Sequence, residues 1–366
     1  MTVHEIAKLA RVSTATVSRV LNGTGTVKPE TAEVVRRILA QHGATDQIVI
    51  RRGPSQGSKR GNGSGNKAAT TIAIVSIGQA HGPWFQMPVM SRVIAGITRE
   101  AKERGLILQI EEGHSPERLA GELRSRGVGG VLTFLPASSE PDTLTALSRQ
   151  IPLVRVMGEA TSAGGVDHVC TDNVAVGAVA YDYLMAEGCR TVGFLTANPG
   201  WDLIHMRAFG FQTHALKCGA AESPTAYIAA KSNAERERYG VRTIAKPTLE
   251  AAVDAFVQAN PRPAGLFVPR DEETVAVYRM LAARGVRPGR DVIIVSCDNE
   301  ELRLSALDPR PASIEIGSME IGRLAVRRLV SRMRHPHEPA VKLQATPRLA
   351  PPDGAGEPGS AESGMQ

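Results

Sequence analysis

The sequence predicts a small all-α helix-turn-helix domain followed by a two-lobed α/β domain, and three observations predict it. Two short stripes of apolar residues at helical spacing, Ile6/Leu9/Ala10 and Val17/Val20/Leu21, are joined by only Arg11-Val12-Ser13. From Thr71 onward, apolar runs of strand length alternate with helical segments in two successive series. Charge divides at the same place. Residues 1–67 hold eleven Lys/Arg against four Asp/Glu, a net of +7 out of +6 for the whole 366-residue chain. A basic N-terminal segment before a nearly neutral remainder points to a polyanionic partner for the first domain.

Ser13 is a natural N-cap for the second helix, its hydroxyl taking an orphan amide, so the turn is short and the helices cross steeply. The face opposite Val17, Val20 and Leu21 carries Thr14, Ala15, Ser18, Arg19 and Asn22, a slim polar surface suited to a groove. On pattern alone a DNA reader and an ordinary helical hairpin stand equal. A third helix is expected after Lys28-Pro29-Glu30-Thr31, since proline suits a first helical turn. Val34, Val35, Ile38 and Leu39 give it a stripe, and Gly43 a stop.

Val3-x-x-Ile6-Ala7-x-x-Ala10-x-Val12-Ser13-x-x-Thr16-Val17-Ser18-Arg19-Val20-Leu21-Asn22-Gly23 resembles, almost position by position, the headpiece of the lactose- and galactose-repressor (LacI) family. The resemblance implies that the second helix enters the major groove of operator DNA. Thr14, Ala15 and Arg19 would then face base edges, and Ser13, Thr16, Ser18 and Asn22 would hold phosphates. Arg19 is the side chain suited to bidentate reading of a guanine, and Ala15 to methyl contact. The turn position that is usually glycine in the family is Arg11 here.

The family's hinge helix, an Asn-x-x-Ala-Arg-x-Leu pattern, does not appear in residues 44–53. Ile48-Val49-Ile50 stands there instead, readable as a substitute wedge or as a stray strand or apolar patch. Residues 53–68, rich in Gly and Ser with Lys59, Arg60 and Lys67, read as a basic tether. The expected division is therefore a DNA-binding domain over residues 1–45, a linker with a degenerate hinge over 46–69, an effector and dimerisation domain over 70–350, and a disordered tail over 351–366.

Within the α/β region the expected first series is Ile72–Ile77, Leu106–Ile110, Val128–Leu135 and Leu153–Met157. The second runs from Val169–Thr171 through Thr191–Leu195, Ala226–Ala229 and Gly265–Val268 to Val292–Ser296. Parallel sheets covered on both faces, with a cleft between two lobes, follow from that order. Several motifs here resemble the same family's sensor, which is itself similar to periplasmic sugar-binding proteins: Asp172-Asn173-x-x-x-Gly177, Arg207-x-x-Gly210-Phe211, Asp271-Glu272-Glu273, and the strand from Val292 to Asp298-Asn299. By that resemblance, Arg207 and Asp298 grip a small polar effector, with Trp84, Phe85 and Arg270 as further contacts. The alternative for Trp84 and Phe85 is core packing. For Arg270 the readings are an anion contact beside Arg207 or a solvated loop residue. Met157 hints at a less polar pocket wall, and Asp172 and Asp271 read first as helix caps. The family's course also places residues 313–316 and the helix from Ser318 in the first lobe, with 341–349 in the second.

Gly127-Val128-Gly129-Gly130 opens a strand after a helix, the reverse of a dinucleotide loop, and is expected to serve close packing. No GxSxG, P-loop or metal-ligand spacing occurs, so no catalytic residue, metal or cofactor is expected. Cys170, Cys189, Cys218 and Cys297 are scattered and read as reduced thiols. With no apolar run of spanning length and no signal-peptide core, a cytoplasmic protein is expected. The whole reading is a homodimeric, operator-binding regulator, a repressor controlled by a sugar or sugar derivative. A solute-binding module that has lost specific DNA binding is the competing account, motivated by the missing hinge helix.

Overall fold

The computed structural model describes residues 7, 10, 12, 13, 16, 17, 28, 30–35, 70–77, 87–113, 116–134, 141–159, 165–240 and 242–352. They fall into two units, Met1–Gly65 and Asn66–Gln366. Thr14, Ala15, Ser18, Arg19, Asn22, Arg11, the expected hinge and tether, Trp84 and Phe85 lie outside the described residues.

In the first unit Ala7, Val17 and Val35 are buried together, with Ala10 and Val12 packed against them. Ser13 does cap: its Oγ accepts the Thr16 amide at 3.1 Å, and its carbonyl accepts the Val17 amide at 3.1 Å. The later helix is set a little differently from expectation. Ala32 and Val35 face inward three residues apart, whereas Val34 is 42% exposed. At 100° per residue, Val34 cannot share the face of Val35 once Ala32 has taken the inner position.

Among the described residues, the second unit holds two sheets. The first lobe contains β1 (Thr71–Ile77), α1 (Pro88–Glu103), β2 (Ile107–Gly113), α2 (Pro116–Ser125), β3 (Val128–Phe134), α3 (Pro141–Ser148), β4 (Leu153–Val156) and β5 (Asp167–Thr171). The chain then crosses to the second lobe: α4 (Asn173–Ala186), β6 (Val192–Thr196), α5 (Asp202–Lys217), β7 (Thr225–Ala229), α6 (Asn233–Glu237), β8 (Thr243–Lys246), α7 (Leu249–Ala259), β9 (Ala264–Phe267), α8 (Asp271–Ala282), β10 (Val292–Cys297), α9 (Glu301–Leu304) and β11 (Ala312–Glu315). It returns to the first lobe as α10 (Ser318–Arg334) and β12 (Lys342–Ala345), and crosses last to the second as β13 (Arg348–Ala350). Sheet orders are β12-β5-β4-β3-β1-β2 and β13-β11-β10-β9-β6-β7-β8. All pairings are parallel except β13 with β11, where Leu349 stands opposite Ile314.

This path corrects three expectations. Residues 167–171 close the first sheet rather than open the second, because β5 pairs with β4 and β12. Residues 312–315 pair with β10 in the second sheet. Residues 342–345 belong to the first sheet, and only 348–350 return. Three crossings between lobes result, after β5, β11 and β12.

Both faces of each sheet are buried, which is why the strands read as nearly continuous apolar runs. On β1, Ile72 and Ile74 meet Val93 and Ile97 of α1 and Ile321, Ala325 and Leu329 of α10, while Ala73 and Val75 meet Leu119 and Leu123 of α2 and Leu147 of α3. In the second lobe Phe194, Phe267 and Val295 face α4 and α5; Leu195, Leu266 and Ile294 face α7 and α8. Gly129 and Gly130 do serve close packing, since a Cβ on either would lie 2.9 Å from Met333 or Leu329 of α10.

Two helix pairs approach too closely for any side chain at the crossing. A Cβ on Gly177 of α4 would lie 2.2 Å from the Arg207 carbonyl oxygen, and one on Gly210 of α5 would lie 2.1 Å from that of Val174. In the first lobe Gly96 of α1 and Gly322 of α10 make the same reciprocal contact, 2.0 Å from Met319 O and 2.1 Å from Val93 O. The α1–α10 pair is further joined by Glu100, 3% exposed, which accepts hydrogen bonds from Arg104, Arg323 and Arg327 at 2.7–3.2 Å. Hydrogen bonding by Arg327, reinforced by Arg104 and Arg323, draws its carboxyl down to about 2 against the opposing effect of burial.

Candidate functional site at the facing strand ends

The polar residues of the second unit gather where parallel strands end. Asp298 follows β10, Arg270 follows β9, Asn173 follows β5, Glu159 follows β4 and Asn198 follows β6. Open parallel sheets bind ligands at the carboxyl ends of their strands, because loops diverge there and leave a crevice.

Arg207 and Asp298, expected as partners across a ligand, are brought together directly. Arg207 lies on α5, only 3% exposed, and its guanidinium donates to Asp298 Oδ1 at 3.2 Å, to Asn173 Oδ1 at 3.0 Å and to the Pro269 carbonyl. Burial pushes the Asp298 carboxyl above its usual range, with the charges of Arg207 and Arg270 opposing. Asp298 also holds a φ of 104°, Asn299 a φ of 49° and Met157 a φ of 65°, the positive-φ non-glycine residues among those described. Such conformations cost of order 1–3 kcal/mol each and persist where surrounding structure enforces them, typically at binding sites.

The pair sits inside a chain of contacts linking the lobes. Asn173 turns its amide nitrogen to Glu159 Oε1 at 2.8 Å, and the other oxygen of Glu159 takes Lys342 Nζ of β12 at 2.9 Å. From the first lobe, Arg92 of α1 donates to the Asp298 carbonyl and to Glu315 Oε2 of β11 at 2.7 Å. Met157 is placed at the first-lobe rim, its carbonyl 3.0 Å from His168 Nε2. His168 is 3% exposed, and desolvation lowers its pKa to about 4.

Arg270 departs from the solvated-loop reading. It is 9% exposed, with its guanidinium carbon 4.7 Å from the centre of the Trp201 ring and a nitrogen 2.6 Å from Glu272. Ring and carboxylate hold it as a flat cationic surface, since a guanidinium stacks on an indole face. Asp172 caps α4 as expected, accepting the Ala175 amide at 3.0 Å. Asp271 does not cap. It is fully buried as the first residue of α8, and accepts the Glu300 amide at 2.6 Å and the Ser313 hydroxyl at 2.9 Å, with Ser296 bonded to the same oxygen. Burial, with the Asp298 charge nearby, raises its pKa to about 7. Glu273 is similarly buried and binds Thr196, Ala197 N and Asn198.

Sequence reasoning missed Asn173, Glu159, Arg92, Glu273 and Trp201 as members of this cluster. Asn173 and Glu273 stood inside quoted motifs; Arg92 and Lys342 carry no local signal, because their partners are more than 180 residues away.

A helix-turn-helix unit in a chain that also carries a two-lobed α/β unit, with a charged cluster at facing strand ends, defines a class: DNA-binding transcription regulators with a binding-protein-like sensor. Comparison with known proteins narrows it. Residues 2–44 match the profile described as bacterial regulatory proteins, lacI family, and residues 181–351 match a periplasmic binding protein-like domain. The ribose operon repressor of Haemophilus influenzae is 26% identical over 342 residues, 92% of this chain and 93% of that one. The regulator CelR of Thermobifida fusca is 26% identical over 352 residues, covering 91% and 92%. Among solved structures, a CelR–cellobiose complex aligns with a TM-score of 0.60 at 24% identity, over 96% of this chain and 99% of that one. A lac repressor dimer bound to operator aligns with a TM-score of 0.59 at 16% identity, over 96% and 98%. The structural likenesses establish the fold. Residues 2–44 are thus a lacI-family DNA-binding segment, in a chain that is similar to regulators carrying that segment over nearly its whole length.

Proposed function

We propose that the chain is a cytoplasmic repressor, working as a homodimer whose paired headpieces bind a pseudo-palindromic operator and whose sensor binds a sugar or sugar derivative. Its work is binding, with no chemical turnover. In this reading Thr14, Ala15 and Arg19 read bases, and Ser13, Thr16, Ser18 and Asn22 hold phosphates. Ser13 keeps one foot in each role, since its hydroxyl is exposed while it caps, and it lies 2.9 Å from the Thr16 hydroxyl. Arg207 and Asp298 hold the effector, with Arg270, Trp84 and Phe85 as further contacts.

The observation that carries the effector half is the buried Arg207–Asp298 pair at the strand ends, with Asp298 strained at positive φ. A guanidinium and a carboxylate side by side offer donors and acceptors matched to vicinal hydroxyls. Relatives carry names consistent with this ligand class, including a ribose operon repressor and a regulator solved with cellobiose. The Arg92 and Asn173–Glu159–Lys342 links run between lobes through the same pair, so a ligand that enters must re-arrange them. That is how ligand binding becomes lobe movement.

The test is a thermal-shift screen of pentoses, hexoses, disaccharides and nucleosides on the full-length protein. A saturable rise in melting temperature is expected for one class and is expected to vanish in Asp298→Asn. A hit that stabilises Asp298→Asn as strongly as the parent would remove this pair from the effector site.

A further inference from the structure

We propose that Asp182, His214 and Cys218 form a surface site for a borderline transition-metal dication, zinc foremost. His214 lies in the last turn of α5, Cys218 four residues on is the residue that caps its C-terminus, and Asp182 faces them from α4. One donor atom from each lies within 4.8 Å of the other two. The His214 Nε2 is 2.7 Å from Asp182 Oδ1 and 3.5 Å from Cys218 Sγ.

The arrangement is not that of a nucleophile relay. In a relay the carboxylate takes one ring nitrogen and the thiol the other. Here both face Nε2, and one nitrogen cannot donate its proton to the carboxylate while accepting from the thiol. Three donors converging on one point are satisfied together by a cation placed there. Tetrahedral ligands at roughly 2.0–2.3 Å from a metal lie about 3.3–3.8 Å apart. The sulfur–nitrogen distance already fits, and the carboxylate, whose side chain is 63% exposed, needs only a small rotation to open its own. Thiolate, imidazole and carboxylate together favour zinc over magnesium or calcium, and the fourth position falls to water.

The two helices that hold the donors are fixed against each other by the Gly177 and Gly210 crossing, and the His214 ring packs edge-on to Tyr181 at 5.9 Å. A metal here would therefore clamp helices whose earlier turns carry Asn173 and Arg207. The site lies within the second unit and does not depend on the effector assignment.

Cobalt(II) titration of the reduced full-length protein tests it. A thiolate-to-cobalt charge-transfer band in the near ultraviolet should saturate at one equivalent and be displaced by zinc. Cys170, Cys189 and Cys297 are buried, so the band should disappear in Cys218→Ser. Affinity in His214→Ala and Asp182→Asn should fall by more than the roughly 10-fold that even an outer-shell partner costs. Absence of the band in the parent, or its persistence in Cys218→Ser with circular dichroism unchanged, overturns the proposal.

Discussion

Asp271→Asn is the substitution for which the structure yields a signed magnitude. The carboxyl lies fully buried beneath the Arg207–Asp298 pair, its pKa raised from 3.8 to about 7 by burial and by the nearby Asp298. A raised acid binds its proton in the native state before the unfolded chain does. Its contribution to stability is therefore complete below pH 3.8 and lost as pH rises through about 7. Three pH units at 1.36 kcal/mol each set a ceiling of about 4 kcal/mol. Asparagine fits the site: its oxygen can accept the Glu300 amide while its NH2 turns to the Ser296 and Ser313 hydroxyls. His168 acts in the opposite sense, because its pKa is lowered to about 4 and its stabilisation is lost as pH falls below 6.5. Between pH 5 and 6.5 the two groups therefore act against each other. Urea unfolding should find Asp271→Asn gaining on the parent by about 2–3 kcal/mol as pH rises from 5 to 7, the rest of the ceiling lying below pH 5. Parallel profiles, with a constant difference between parent and variant, would refute the reasoning.

Other parts of the chain supply three further predictions. Gly177→Ala and Gly96→Ala each force a Cβ against a backbone carbonyl, so each should lose a net of about 2 kcal/mol, an overpacking cost near the upper end of about 1–3 because backbone yields poorly, less about 1 for the helix propensity of alanine. Gly177→Ala displaces the helix carrying Arg207, so it should weaken the ligand-induced rise in melting temperature more than Gly96→Ala, which moves α1 and its Arg92; equal weakening in both would show a general effect. Glu100→Gln should destabilise by about 1–2 kcal/mol at pH 7, reduced by solvent around arginines that are 25–39% exposed. Because this carboxyl is depressed to about 2, the parent's advantage should fade as pH falls from 4.5 toward 2, and an advantage that survives at pH 2 would contradict the assignment. Arg19→Ala should cost roughly 1–3 kcal/mol and relax selection at one operator position, read by quantitative binding to single-base operator variants.

The lobes were legible because β-rich runs buried on both faces leave continuous apolar stretches such as Ile72–Ile77 and Val292–Ser296, punctuated by amphipathic helices. What sequence order could not reveal was to which sheet a short strand belongs. Residues 167–171, 312–315 and 342–345 have nothing in their composition that selects a sheet, and the choice rests on pairing with strands distant in the chain. The short strand β8 and helix α6 were not anticipated at all. At the site, Arg207, Asp298 and the Asp172 cap could be read from motifs. Arg270 looked like a loop arginine because its shelter, Trp201, lies 69 residues earlier. Asp271 looked like a cap because an acid at a helix start is usually one, and its burial came from β10 and β11 folding over it. No metal-ligand spacing was legible in the sequence, because His214 and Cys218 form a donor set only with Asp182 of another helix.

Whether this chain recognises a specific duplex sequence is decided by selection from a random duplex pool by the full-length protein at moderate salt. An enriched pseudo-palindrome with fixed half-site spacing, lost or relaxed in Arg19→Ala, is the expected outcome. A folded, dimeric protein that enriches no sequence, or one whose enriched sequence is unchanged by Arg19→Ala, would contradict it.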